Sequence, residues 1–132
     1  IPNFELSTAA ARAVLPTDYS RADAIFNTAH LGLLIRGLAT GQPQWLQTAL
    51  QDRIHQPYRQ ALITGYQTVQ SAALAAGAYG VVISGAGPTV LALTHATQAP
   101  AVVAAMATTW QQQQIEAQVK VLPIDLQGAR LN

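Results

Sequence analysis

The segment from Ser84 to Thr89 is the part of the chain best suited by residue type to contact an anion. Gly85 and Gly87 can adopt positive φ angles and Pro88 fixes its own φ, so we expect a tight turn here. A turn of this kind exposes backbone N–H groups beside the hydroxyl groups of Ser84 and Thr89, and such N–H groups bind anions. The alternative is an ordinary Gly-Pro turn that contacts no ligand.

A second pair of polar residues, Thr8 and Arg12, lies near the start of the chain. Their spacing of four places both side chains on one face of the helix predicted there, so that they can converge on one target. The opposite face carries Leu6, Ala9 and Val14 and is predicted to be buried. The alternative is that Thr8 and Arg12 occupy the solvated face of an amphipathic helix.

The third candidate region is residues 52–59, which combine charge, imidazole and aromatic groups in a chain poor in charge. Pro57 is expected to break or restart a helix, which places Arg59 near a helix start. Because the helix dipole disfavours a cation there, we infer that Arg59 is positioned for an anion. A surface ion pair with Asp52 is the alternative. His55 is interpreted as a hydrogen-bonded structural histidine rather than a catalytic one.

The composition excludes several functional classes. The 132 residues carry a net charge of +1, only 10% of them are charged, and none is cysteine. A single domain is therefore expected, without disulfides, thiolate metal sites or a basic surface for nucleic acid. His30, His55 and His95 show no metal-ligand spacing. No apolar run is long enough to span a membrane and no signal peptide is visible, so a cytoplasmic location is expected.

Hydrophobic periodicity and capping residues predict the elements that must position these side chains. Five helices are expected, at residues 8–15, 21–40, 43–51, 64–76 and 100–113. Three strands are expected, at residues 81–83, 90–93 and 117–121, after a short extended start over residues 1–5. The helix at 21–40 is apolar on two sides, so we expect a partner domain or a second subunit to cover one of them.

The order of these elements predicts an α+β domain. A strand–strand–helix–strand series makes up most of the ferredoxin-like plan, in which helices cover an antiparallel sheet. That plan requires one further strand ahead of the helices, and it is not visible here. Because the chain begins at Ile1-Pro2 without a methionine, we expect this first strand to lie immediately upstream in a longer protein.

Four stretches together resemble one enzyme family. Two of them are similar to segments of homoserine kinase: Pro2 to Thr8 followed by Ala11-Arg12, which carries a Ser-Thr-x-x-x-Arg pattern, and the Asp-Ala-Ile-Phe-Asn sequence at 23–27. The His-Gln-Pro-Tyr-Arg sequence at 55–59 is similar to another segment, and residues 80–93 resemble the third conserved motif of the GHMP kinase superfamily. The resemblance runs from Ile1 to about Leu122, and the four motifs together are far more specific than any one alone.

The resemblance implies transfer of the γ-phosphoryl group of ATP, bound with Mg²⁺, to the hydroxyl group of L-homoserine, a step in threonine synthesis. It assigns Thr8, Arg12 and Arg59 to the pocket for the substrate. A guanidinium group can clamp the carboxylate of such a substrate with two hydrogen bonds. It also assigns a supporting role beside the nucleotide phosphate loop to Ser84, Gly85, Ala86, Gly87 and Thr89. No catalytic residue and no metal ligand is assigned to this chain.

The sequence departs from the family in one respect. The Pro-x-x-x-Gly-Leu-Gly-Ser-Ser-Ala phosphate loop of GHMP kinases and the acidic Mg²⁺ ligands of the N-terminal half are not found in these residues. Residues 1–132 are therefore expected to form a GHMP kinase C-terminal domain that works with its own N-terminal domain. The isolated chain is expected to be inactive.

Three other interpretations remain open. In the first, the chain is a non-catalytic amino-acid-binding module of ferredoxin-like type. In the second, it is the C-terminal domain of a GHMP kinase that acts on another small molecule. The third is a dimerisation platform built on the helix at 21–40, which makes a homodimer.

Overall fold

Helices make up about half of the computed structural model, which describes residues 1–125 and 127–128. The helices are α1 (Thr8–Ala13), α2 (Arg21–Thr40), α3 (Pro43–Ala49), α4 (Gln56–Arg59), α5 (Tyr66–Ala75) and α6 (Ala99–Gln112). A 3₁₀ turn, Gln60–Leu62, follows α4 directly. Two strands, β1 (Ala78–Ile83) and β2 (Val90–Thr94), lie between α5 and α6. The predicted α+β class, with helices covering an antiparallel sheet, is confirmed.

Capping residues account for the helix boundaries. The hydroxyl group of Ser7 accepts from the backbone N–H of Ala10 at 3.0 Å, and that of Ser20 accepts from Asp23 at 3.0 Å. These bonds satisfy N–H groups that have no partner inside a helix. The helix α2 ends at Gly41, whose φ of +67° is the left-handed conformation that glycine adopts without strain. The predicted bounds of α2 are confirmed, whereas α1 ends two residues earlier than expected.

The two strands form an antiparallel hairpin. Ile83 pairs with Val90, Val82 with Leu91, and Val81 with Ala92. The connecting loop contains a cis Gly87–Pro88 peptide bond and two left-handed glycines. The predicted hairpin is therefore present, and both strands extend slightly beyond their predicted bounds.

The predicted strand at 117–121 does not form in the described part of the chain. Its only bridge pairs Ala117 with Pro2. Two backbone hydrogen bonds flank the bridge, from Asn3 to Glu116 at 2.9 Å and from Gln118 to Ile1 at 2.8 Å. The extended start of the chain is thus the partner of residues 116–118, and residues 119–121 pair with no strand among the described residues. Alternating hydrophobicity predicts which side chains of this segment share a face, but it does not predict whether a neighbouring strand pairs with the segment.

The hydrophobic core lies between the hairpin and the helix pair α5 and α6. Its largest member, Trp110, is 1% exposed. The other core residues are Ile63, Tyr66, Val69, Ala73, Ala78, Val81, Val90, Val102 and Met106. The strand pairing is irregular between Ala78 and Gly80, and the Cβ position of Gly80 faces Leu50 rather than this core. The structure therefore has a second, smaller contact on the other face of the hairpin.

Small residues allow α3 and α2 to stack on that second face. A Cβ atom on Gly80 would lie 2.5 Å from Cδ1 of Leu50, the residue that ends α3. A Cβ atom on Gly37 of α2 would lie 3.0 Å from Cδ2 of Leu46. The layers are therefore α5 and α6, the hairpin, α3, and α2 on the outside.

The outer side of α2 is not covered by the described residues. Its large apolar side chains Ile25, Leu31, Ile35 and Leu38 are between 48% and 64% exposed, and Gly37 is the buried residue of the helix. This arrangement agrees with the expectation that the domain covers α2 on one side. Among the described residues, no helix combines the length and apolarity needed to cross a membrane.

The close approach at Gly80 gives a test of the layer order. We expect Gly80→Ala to lower the free energy of unfolding by about 1–3 kcal/mol, because the new methyl group overlaps Leu50. Gly32→Ala is the matched control, since nothing lies within 4 Å of its Cβ position and it is inside α2. The free energy of unfolding of that variant is expected to rise by about 0.5–1 kcal/mol. Urea unfolding measures both, and equal stability of Gly80→Ala and the unaltered chain would contradict the stacking.

Candidate functional site

Arg59 joins three segments that are far apart in the sequence. Its Nε atom donates to the backbone oxygen of Ala11 in α1 at 3.0 Å, and its Nη1 atom donates to the backbone oxygen of Gly85 at 3.1 Å. Ala11 lies in the last turn of α1, where carbonyl groups lack a partner within the helix. The half-buried guanidinium group therefore holds α1 and the glycine loop together.

Arg59 lies near a helix start, as expected. It is the last residue of the one-turn helix α4, which begins at Gln56. No ion pair links it to Asp52 among the described residues.

Thr8 and Arg12 both lie on the exposed side of α1. The Arg12 side chain has no hydrogen bond or ion pair with any described residue, so its guanidinium group is available to a ligand. Arg59 binds the carbonyl group of the residue immediately before Arg12. The structure thus brings Arg59, the turn that carries Arg12, and Gly85 together. That both guanidinium groups hold one ligand stays a prediction.

The glycine loop is closed by its own backbone. The N–H of Ser84 donates to Thr89 at 2.8 Å, and the N–H of Gly87 donates to Ser84 at 3.1 Å. The backbone N–H groups of Gly85, Ala86 and Thr89 and the hydroxyl groups of Ser84 and Thr89 have no hydrogen-bond partner in the described part of the chain. These unpaired donors are what an anion-binding loop requires.

Gly87 allows the loop to pack closely against the residue before the α1 cap and the residue after the 3₁₀ turn. Its φ is +87°, and a Cβ atom there would lie 3.0 Å from Cδ1 of Ile63 and 3.2 Å from Cδ2 of Leu6. Leu6 immediately precedes the cap of α1, and Ile63 follows the 3₁₀ turn after α4. A larger residue at Gly87 would separate the loop from both segments.

Sequence reasoning missed the role of Asp52. Its Oδ2 atom accepts from the backbone N–H of His55 at 2.7 Å and of Gln56 at 2.6 Å, so it caps the start of α4. The side chain of Asn27 in α2 donates to Oδ1 of Asp52, and its own oxygen accepts from the N–H of Arg53 at 3.0 Å. An Asp a few residues ahead of a Pro-containing helix start is the signal that would have found it.

These hydrogen bonds change the pKa of Asp52. Burial on its own would raise the pKa of Asp52, but the hydrogen bonds from Gln56, Asn27, His55 and Ile54 outweigh it and lower the pKa below its usual value of 3.8. The predicted structural role of His55 is not seen, because its side chain forms no hydrogen bond with any described residue. Its side chain is 51% exposed, and its Nδ1 atom is 3.8 Å from Asp52, which is too far for a hydrogen bond.

Gln56 is a second residue that sequence reasoning missed. Its Oε1 atom accepts from the backbone N–H of Ile83 at 3.1 Å and from the hydroxyl group of Tyr66 at 3.3 Å. The same hydroxyl contacts the backbone oxygen of Val81 at 3.2 Å, and burial raises the pKa of Tyr66. Gln56 thereby connects α4 to the last residue of β1, next to the glycine loop.

An open cleft of about 370 Å³ lies between α2 and α4, lined in part by Phe26, Asp52 and Arg53. Its charged groups already have partners. Arg53 pairs with Asp23 at 3.8 Å and lies 3.8 Å above the ring of Phe26. We therefore place the candidate site at Arg12, Arg59 and the glycine loop instead. Among residues 1–125 and 127–128, no three His, Asp or Glu side chains are grouped to hold a metal ion.

Comparisons with known proteins agree with one another. The family model described as GHMP kinases C terminal matches residues 34–112. A homoserine kinase of Nostoc sp. is 67% identical over 98% of this chain, and one of Synechocystis sp. is 56% identical over 99% of it. The chain spans only 43% of the length of each of these curated relatives.

A solved structure is similar as well. The crystal structure of homoserine kinase from Cytophaga hutchinsonii superposes with a TM-score of 0.85 and is 33% identical. The match covers 90% of this chain and 38% of the solved one.

The two arginines are expected to differ in their effect on stability. Arg59→Ala removes both hydrogen bonds to Ala11 and Gly85 and should lower the free energy of unfolding by about 1–2 kcal/mol. Arg12→Ala removes an unpaired, exposed side chain and should change it by less than about 0.5 kcal/mol. Urea unfolding of this chain makes the comparison. Equal losses in the two variants would contradict the tethering role of Arg59.

The lowered pKa of Asp52 predicts a specific pH dependence. Its contribution to stability is fully present above the ordinary value of 3.8 and is lost as the pH falls through the lower pKa of the folded state. We expect Asp52→Asn to show a smaller loss of unfolding free energy between about pH 5 and about pH 2. Asp18→Asn is the control, because no backbone N–H group donates to that carboxylate. An unchanged slope in Asp52→Asn would refute the capping role.

Proposed function

Since the chain belongs to the GHMP kinase family, whose C-terminal model matches it, we propose that it is the C-terminal domain of a homoserine kinase. The intact enzyme transfers the γ-phosphoryl group of ATP to the side-chain hydroxyl group of L-homoserine, in threonine synthesis. Its N-terminal domain supplies the ATP-binding loop. The observation that supports this proposal most directly is the contact of Arg59 with both α1 and the glycine loop.

The chemistry of the arginines suits the carboxylate of an amino acid. A guanidinium group has five N–H donors, and Arg59 uses one on Ala11 and one on Gly85. The remaining donors of Arg59 and all those of Arg12 can bind carboxylate oxygens with charge-assisted hydrogen bonds. Thr8, one turn before Arg12 on the same helix, adds a hydroxyl group. These three residues form the proposed substrate pocket.

The glycine loop has a supporting role in the proposal. Phosphoryl transfer depends mainly on positioning and on stabilisation of charge. The unpaired N–H groups of Gly85, Ala86 and Thr89, with the hydroxyl groups of Ser84 and Thr89, stabilise the nucleotide phosphate loop of the N-terminal domain. This chain supplies no catalytic residue.

The described residues do not fit a Mg²⁺ site. Mg²⁺ binds carboxylate oxygens together with substrate phosphates. Asp52, which lies in the same segment as Arg59, is occupied with backbone N–H groups and Asn27. No step of the reaction is therefore assigned to a metal ion held by this chain.

The outer face of α2 supports a second, separate proposal, a homodimer of the intact protein. Four large apolar side chains of that helix are about half exposed or more, and the same face carries Arg21 and Arg36 but no acid. Sedimentation of the intact protein decides this question, and a monomer at every concentration would dismiss the homodimer.

The role of Arg12 gives the direct test of the substrate. In the intact protein, Arg12→Ala should raise the KM for L-homoserine by about tenfold to a hundredfold, because a charge-assisted pair is lost, and leave the KM for ATP unchanged. Lys120→Ala, which removes another exposed cation outside both proposed surfaces, is the control and should change neither. An unchanged KM for homoserine would favour a GHMP kinase for another small molecule.

The isolated chain provides a further test. A coupled assay of residues 1–132 with ATP and L-homoserine is expected to show no homoserine-dependent turnover, while the intact protein turns over. Turnover by the isolated chain would refute the proposal that catalysis requires the N-terminal domain. Binding of homoserine by an intact protein that never turns over would favour the non-catalytic amino-acid-binding module.

A further inference from the structure

The helix α4 contacts the hairpin at two adjacent points. Oε1 of Gln56 accepts from the N–H of Ile83 at 3.1 Å, and Nη1 of Arg59 donates to the oxygen of Gly85 at 3.1 Å. Residues three apart in a helix lie on one face, so both side chains reach the same stretch of the hairpin. One contact alone would leave α4 free to pivot, whereas two define its orientation.

The bond from Ile83 to Gln56 serves a backbone group that the hairpin leaves open. Ile83 is the last residue of β1, and its N–H turns to Gln56 rather than to β2. The next residue, Ser84, closes the glycine loop through its bond to Thr89. The Gln56 side chain therefore controls the position at which the strand ends and the loop begins.

Other contacts hold the Gln56 amide in this orientation. Its oxygen also accepts from the hydroxyl group of Tyr66, a core residue that is 3% exposed. Its backbone N–H donates to Asp52, which Asn27 of α2 holds in turn. A chain of hydrogen bonds thus runs from α2 through Asp52 and Gln56 to the end of β1.

We propose that Gln56 is a positioning residue, which sets the distance between the Arg59 guanidinium group and the glycine loop. Its role is to act through Arg59 rather than by contact with the substrate or the nucleotide. The consequence for homoserine binding rests on the proposed function, whereas the consequence for the loop does not. With the bond to Ile83 absent, the end of β1 and the loop can shift away from α4, so the bond from Arg59 to Gly85 weakens and the remaining donors of Arg59 no longer point at a fixed place.

The variants separate positioning from general stability. Gln56→Met keeps a side chain of similar length and removes the acceptor, while Gln56→Glu retains an acceptor for Ile83 and Tyr66. Gln70→Met is the matched control. Gln70 is also half-buried and donates to the same Tyr66 hydroxyl at 3.2 Å and to Val81 at 3.3 Å, but its side chain forms no hydrogen bond with Ile83 or α4.

Two measurements on the intact protein test the proposal. The first is hydrogen exchange of the 83–87 backbone without substrate, which should become faster in Gln56→Met, return towards the original rate in Gln56→Glu, and stay unchanged in Gln70→Met. The second is the KM for L-homoserine, which should rise about fivefold in Gln56→Met with the KM for ATP unchanged, since one hydrogen bond is lost. Gln56→Glu should restore it.

The outcomes distinguish this proposal from the proposed function. Unchanged exchange over 83–87 in Gln56→Met overturns the positioning role, whatever the substrate is. Equal effects of Gln56→Met and Gln70→Met on exchange or on KM also overturn it, because the role is then merely structural. Faster exchange in Gln56→Met alone, in an intact protein that does not phosphorylate homoserine, supports the positioning role and refutes the proposed function.

Discussion

The pair of hydrogen bonds made by Arg59 is the constraint on which the rest of the site depends. α1 is a short helix with one buried residue, Ala11, so apolar contact alone holds it weakly. The glycine loop projects beyond the hairpin and is closed mainly by its own backbone. A single guanidinium group binds a carbonyl oxygen of each, and its planar fork makes the two bonds at defined angles. An arginine in this position organises the polypeptide and still retains donors for a ligand.

The position of Arg59 is itself determined from the other end of α4. Asp52 caps this one-turn helix, and Asn27 holds Asp52 from the long helix α2. Such a short helix has no stability of its own, because nucleation is unfavourable. Its geometry therefore follows from its caps and its contacts. The close stacking at Gly37 and Gly80 places α2 and α3 near enough for this network to form.

The elements that follow local rules were predictable from the sequence. Ser20 and Gly41 define both ends of α2, and the two β-branched runs around the glycines define the hairpin. The segment at 117–121 was predicted as a strand because its alternation is strong, but pairing depends on where a partner lies. Likewise Arg59 was identified as a candidate, yet its carbonyl partners are 48 and 26 residues away and leave no local pattern. The roles of Asp52 and Gln56 were missed for the same reason.

The central claim is that Arg59 binds the protein and the substrate at once, together with Arg12. A crystal structure of the intact protein with L-homoserine tests it most directly. The account predicts that the substrate carboxylate lies about 3 Å from nitrogen atoms of both guanidinium groups, with the bond from Arg59 to Gly85 retained. A carboxylate bound away from these two residues, or one that draws Arg59 off Gly85, would contradict it.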